Sequence, residues 1–252
     1  MAEPERYFFC HLQKTGGTSL QMALRKQHGP THVYPLPRDR KDVRSQVDVD
    51  FLREVWARDR GRIRVVTGHF PLCTTELLGV PFRTFAVLRE PVARTLSFLR
   101  HRIRLEPELA GTPLPALYGQ PRMLHALIEN HMVKMLSLTT DEMDAGAMTM
   151  TEFDEGHLER ACAALDRMDV VGLQSDLPGF YRALEDRFGW DLDEPIRANV
   201  TAGSPERDGA AGDDPAVDEA FVNRIRRDSA LDVRLYEYAV DLVARRAAQP
   251  AP

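Results

Sequence analysis

Cysteine is scarce in this chain of 252 residues: Cys10, Cys73 and Cys162 are an odd three, and no two form a Cys-x-x-Cys pair. That excludes a disulfide framework and fits a reducing compartment, with the thiols acting as small buried hydrophobes. Long apolar runs are missing too. The N-terminus, Met1-Ala2-Glu3-Pro4-Glu5-Arg6, is acidic and has no apolar signal core, and no later run nears the roughly 20 residues of a membrane span. A cytosolic protein with no membrane span is expected. Nor is there an excess of positive charge: 33 Lys and Arg against 38 Asp and Glu leave −5. The average field therefore holds neither nucleic acid nor an anionic membrane, and any polyanion site has to be local. No internal repeat is visible.

What is present is enough for a core. With 43% hydrophobic and 28% charged residues, the chain reads as one α/β domain over 1–252, frayed at 1–5 and 245–252. Its organising stretch runs from Tyr7 to Leu20, an apolar run that passes into Lys14-Thr15-Gly16-Gly17-Thr18-Ser19 and then into a helical pattern. This reads as strand, anion-binding loop, helix. Gly16 and Gly17 permit positive φ and let backbone N–H groups close around an anion. Thr18 or Ser19 opens a helix whose positive end faces that anion, and Lys14 adds a full charge. The triphosphatase order Gly-x-x-x-x-Gly-Lys-Ser/Thr is absent, because here the lysine comes first.

Further elements follow from periodicity and punctuation. A helix over Leu20 to His28 ends at Gly29-Pro30, and Thr31 to Val47 reads as a polar surface loop. Phe51, Leu52, Val55 and Trp56 mark a helix. Ile63 to Thr67 and Phe82 to Leu88 read as parallel strands ending in Gly68-His69-Phe70-Pro71 and Arg89-Glu90-Pro91, with ligands expected at those ends. A helix starts at Pro91, residues 105–120 look irregular, and helices are expected over 122–138 and 153–168. Asp169 to Leu173 reads as a strand followed by Ser175 as an N-cap and a helix to Phe188. A long loop spans Glu194 to Pro215, and one or two helices close the chain, with the tail after Ala244 fraying.

Arg89 at a strand end offers a planar fork for a phosphate, and Ser97 lies two helical turns on, facing the same side. Each has a plainer reading: an arginine paired to a carboxylate, and a serine bonded to its own helix backbone. His69 taken alone reads more often as a hydrogen-bonded structural histidine than as a base, and its position between the Lys14 loop and Arg89 reverses that preference. Cys10-His11 with His69 and Cys73 matches no common zinc spacing, and neighbours on a strand face opposite ways.

Leu12-Gln13-Lys14-Thr15-Gly16-Gly17-Thr18-Ser19-Leu20 resembles the 5′-phosphosulfate loop of sulfotransferases that use 3′-phosphoadenosine 5′-phosphosulfate (PAPS), in the branch of the heparan and dermatan uronyl 2-O-sulfotransferases. Gln13 stands where that branch usually has proline. Arg89-Glu90-Pro91 through Ser97 resembles the family's 3′-phosphate motif, with Glu90 for aspartate, and Gly68-His69 resembles its base-bearing Gly-His. Asn130 through Leu136 resembles an Asn-x-x-x-Arg-x-Leu helix with Lys134 for arginine. Asn199 to Arg207 resembles the loop that closes over the cofactor, and Ser229 to Ala239 the C-terminal helix.

The resemblance implies a three-layer, P-loop-like parallel sheet in a soluble, bacterial-like enzyme. It implies PAPS as sulfuryl donor, no metal, and a small-molecule or carbohydrate acceptor hydroxyl. Lys14, Thr15, Gly16, Gly17, Thr18, Ser19, Arg89, Ser97, Asn199 and Arg207 are then cofactor-binding, and His69 and Lys14 catalytic. His11 lines the site. The alternatives are a nucleotide kinase or triphosphatase with an atypical loop, and a nucleotide-binding homologue without turnover. The residues leave the acceptor's identity open.

Overall fold

A computed structural model describes residues 4–120, 127–146, 152–192 and 217–248. Five strands form one all-parallel sheet: β1 (Tyr7–Cys10), β2 (Val33–Tyr34), β3 (Val65–Gly68), β4 (Arg83–Leu88) and β5 (Val170–Leu173), in the order β2-β3-β1-β4-β5. The helices are α1 (Gly17–His28), α2 (Val49–Asp59), α3 (Thr74–Leu77), α4 (Pro91–Leu105), α5 (Leu114–Tyr118), α6 (His131–Ser137), α7 (Thr140–Asp144), α8 (Glu155–Arg167), α9 (Leu177–Phe188), α10 (Glu219–Asp228) and α11 (Ala230–Ala247).

Side chains alternate across the sheet, so each strand feeds two cores. Phe8, Cys10, Val66, Ala86, Leu88 and Val171 pack against α2, α6, α8 and α11. Tyr7, Phe9, Val65, Phe85, Val87 and Val170 pack against α1 and α9 on the other face. With helices on both faces β1 is wholly buried, which is why it reads as an unbroken apolar run. A third cluster joins α4, α5 and α10 through Leu96, Leu99, Tyr118, Phe221 and Ile225. None of the described helices is long and apolar enough to cross a membrane.

Several boundaries depart from the sequence reading. The segment from Thr31 to Val47 is not simply a surface loop, since Val33 and Tyr34 pair with Val65 and Val66 and are fully buried. A strand of two residues is too short to display a period. Helix α5 lies in the stretch expected to be irregular. Of the helix expected over 122–138, the described residues hold Leu127 and Ile128 in π-helical form and then α6, the two parted by a turn in which Asn130 is left-handed at φ 44°. Asp176, not Ser175, caps α9, its carboxylate accepting from Gly179 N at 2.9 Å. The C-terminal helix persists to Ala247, with Arg246 Nη2 donating to Asp166 O at 2.8 Å.

Candidate functional site

The register brings the sheet's C-terminal ends together. Cys10 lies opposite Gly68 on one side and Ala86 on the other. The residues that follow Cys10 and Gly68, namely His11 and His69, therefore emerge side by side, with ring centroids 4.5 Å apart. Two further residues along β4, the chain leaves the sheet at Arg89.

After His11 the loop turns back through two left-handed residues, Lys14 at φ 67° and Gly16 at φ 91°. Left-handed geometry is costly for lysine, so Lys14 marks a strained position held by its surroundings. Thr15 is buried and its hydroxyl donates to Leu12 O at 2.9 Å, closing the turn. Gly16 caps α1, which begins at Gly17, so neither Thr18 nor Ser19 opens the helix as expected; Thr18 is exposed and Ser19 half-buried in its first turn. That turn has no side-chain cap and no acidic residue. The positive dipole end of α1 therefore carries neither a capping side chain nor a carboxylate of its own, which favours an anion there.

Gly17 is required for a reason the sequence did not show. Its φ is not positive, yet a Cβ on it would lie 2.0 Å from His11 Nε2. The His11 ring fills that space, stacked on Phe9 at 4.9 Å, with Gln21 Nε2 donating to its Nδ1 at 3.2 Å.

His69 is anchored at the mouth of β3. Gly68 at φ 141° makes the turn, and the Phe70 ring fills the place of its missing Cβ. The His69 backbone N–H donates to Gln46 O at 2.6 Å, and its Nδ1 donates to His11 O at 2.9 Å. With Nδ1 protonated, Nε2 of the neutral ring carries the lone pair and is an acceptor.

Arg89 reaches across to the loop, its Nη1 donating to Lys14 O at 3.1 Å. Glu90 is engaged as the N-cap of α4, its carboxylate accepting from Ala93 N at 2.6 Å. Ser97 is half-buried on α4, and among the described hydrogen bonds none joins it to Arg89 or to the loop. Arg94 is fully buried and donates to Leu127 O and Ile128 O, so its hydrogen bonds go to carbonyls rather than to a carboxylate. Asn199 and Arg207 lie outside the described residues.

The electrostatics are those of a site short of negative charge. Burial pushes the His11 imidazole well below its ordinary range, and the neighbouring His69 and Lys14 push the same way. His69 is lowered by burial and by Lys14, against the opposing effect of its bond to His11 O. His101, one turn beyond Ser97 on α4, is lowered by burial and by the charge of Lys14. His131, 2% exposed, is driven well down by burial, Arg94 and Lys134. His101 and His131 carry no sequence motif; only the helical offset from Ser97 to His101 could have pointed to one of them. Among the described residues no group of three or more His, Cys, Asp or Glu could hold a metal ion. Cys10 belongs to the core on one face of the sheet, while His11 stacks on Phe9 of the other.

No protein-family model matches the chain, and no curated protein matches it either.

Proposed function

We propose that this protein is a PAPS-dependent O-sulfotransferase with a P-loop-like nucleotide site. The observation that supports this reading best is the convergence on one loop of three features. These are the open, uncapped N-terminus of α1 behind Lys14, the Arg89 guanidinium at Lys14 O, and a histidine whose Nε2 is an acceptor beside them. An anion fits this cradle: left-handed Gly16 turns the backbone, and neither a cap nor an acid occupies the helix end.

In this reading Gly16, Gly17, Thr18 and Ser19 hold the 5′ end of the nucleotide through backbone and hydroxyl donors, and Arg89 with Ser97 holds the 3′-phosphate. Bound there, PAPS supplies the sulfuryl group that passes to an acceptor hydroxyl. His69 Nε2 takes the hydroxyl proton, while Nδ1 stays bonded to His11 O and keeps the ring oriented. Lys14 offsets the negative charge that builds at the 5′-phosphate as the group departs. Fixed dipoles and positioning supply most of the rate in this scheme, as in phosphoryl transfer. The acceptor is a small-molecule or carbohydrate hydroxyl.

A thermal-shift comparison of adenosine 3′,5′-bisphosphate with ATP plus Mg²⁺ tests the reading. The bisphosphate at about a hundred times its dissociation constant should add roughly 2.7 kcal/mol, or several degrees. Stabilisation by ATP with Mg²⁺ and none by the bisphosphate would replace it with a kinase or triphosphatase.

A further inference from the structure

We propose that His11 is an anion-binding residue whose Nε2–H joins Lys14 and the first turn of α1 in gripping a phosphate or sulfate oxygen. Four contacts fix the ring: Phe9 stacked at 13°, His69 at 4.5 Å, Gln21 Nε2 at 3.2 Å from Nδ1, and the Cα side of Gly17. Since Nδ1 accepts from Gln21, the proton of the neutral ring sits on Nε2. The side chain is 6% exposed, and among the hydrogen bonds of the described residues none is made by Nε2–H, which is not one of the fully enclosed unpaired atoms and so stays reachable from outside. A donor that no protein group meets, on a side chain otherwise packed in, is left for a ligand or a water. Nε2 lies against Gly17, the first residue of a helix whose own leading N–H groups have no side-chain cap. An oxyanion, which only accepts, satisfies the imidazole and the helix end together.

The two neighbouring histidines are thereby held in opposite tautomers. His69 donates through Nδ1 and presents a lone pair at Nε2, whereas His11 accepts at Nδ1 and presents a proton at Nε2. Burial and the charge of Lys14 keep His11 neutral, so it serves as a fixed donor rather than a base. The donor role requires only an oxyanion; its identification as the 5′-phosphosulfate rests on the sulfotransferase reading.

Two measurements test this. Long-range ¹H–¹⁵N spectra of the wild-type protein should show His11 protonated at Nε2, with that nitrogen shifting as inorganic sulfate is added. A proton on Nδ1, or no response to sulfate that binds elsewhere or not at all, overturns the donor role. Titration of His11→Phe, which keeps an aromatic ring without its nitrogens, should weaken adenosine 3′,5′-bisphosphate about ten- to a hundredfold and leave adenosine 3′-phosphate unchanged. Gln21→Leu, which spares His11 but frees its tautomer, should weaken the bisphosphate in the same direction. Wild-type affinity in His11→Phe, or equal losses for both nucleotides, counts against the proposal. A His11 response to sulfate without any nucleotide binding would uphold the donor and remove the sulfotransferase reading.

Discussion

Asn130 and Asp232 cap each other's helices. Asn130 Oδ1 accepts from Leu231 N at 3.0 Å and Asp232 N at 3.2 Å in the first turn of α11. The Asp232 carboxylate accepts from Met132 N at 3.1 Å and Val133 N at 2.8 Å in the first turn of α6. Two leading N–H groups of each helix, four in all, are met across the pair, and left-handed Asn130 gives the geometry for it. Helix α6 in turn holds the turn after His69, because Leu72 N donates to Met135 O at 2.8 Å. The clasp is thus connected to the candidate base through backbone alone.

Asp232→Ala should cost about 3 kcal/mol, since it strands two buried N–H groups and removes the carboxylate beside buried Arg94, leaving Lys134 with Glu129 alone among the described carboxylates. For a chain of this length that is a drop of roughly 6–12 °C in melting temperature. Thermal denaturation reads it directly. A change within about one degree would show that water or a neighbouring group replaces the carboxylate without loss.

Gly17→Ala should disturb the site through His11, because the added methyl meets the imidazole at 2.0 Å. Overpacking of this sort costs roughly 1–3 kcal/mol. In a His11→Ala background the ring is gone and the methyl has room, so the double substitution should be more stable than the sum of the singles by about 1 kcal/mol or more. Strictly additive losses would mean that the helix start, not His11, is what Gly17 serves.

Arg89→Ala should weaken adenosine 3′,5′-bisphosphate by roughly 1.5–3 kcal/mol more than adenosine 5′-phosphate, if the guanidinium serves the 3′-phosphate. Because Arg89 Nη1 also holds Lys14 O, a smaller loss common to both ligands is expected from the released loop. Calorimetric titration of the two nucleotides separates the effects. Equal losses would confine Arg89 to tying down the loop.

The pH dependence follows from the depressed histidines. A histidine whose folded-state pKa lies below the ordinary 6.5 takes up its proton first in the unfolded chain, so stability is full above about 6.5 and declines as the pH falls. His28, taken down to about 4 by burial and by His32, extends that decline to about pH 4. His11, His69, His101 and His131 shift in the same direction. If His69 is the base, turnover should likewise be lost on an acid limb with its midpoint below 6.5, where the ring becomes protonated. Denaturant midpoints and initial rates between pH 4 and 8 check both. A rate still climbing above pH 7 would transfer the base role to another group.

Legible in the sequence alone were the strand, loop and helix at Tyr7 to His28 and the strands ending before His69, Arg89 and Gln174. These are local properties: an apolar run long enough to show its period, then residues that turn the chain. Only the tertiary structure decided that Val33 and Tyr34 form a strand, that Gly17 makes room for His11, and that His69 hangs from the His11 carbonyl 58 residues away. The parallel register of β1 and β3 sets the meeting of the two histidines, and the packing of α6 on α11 sets the Asn130–Asp232 clasp across some 100 residues. Neither leaves a local period, because the partners in each contact are joined by sheet register and helix packing rather than by their spacing along the chain.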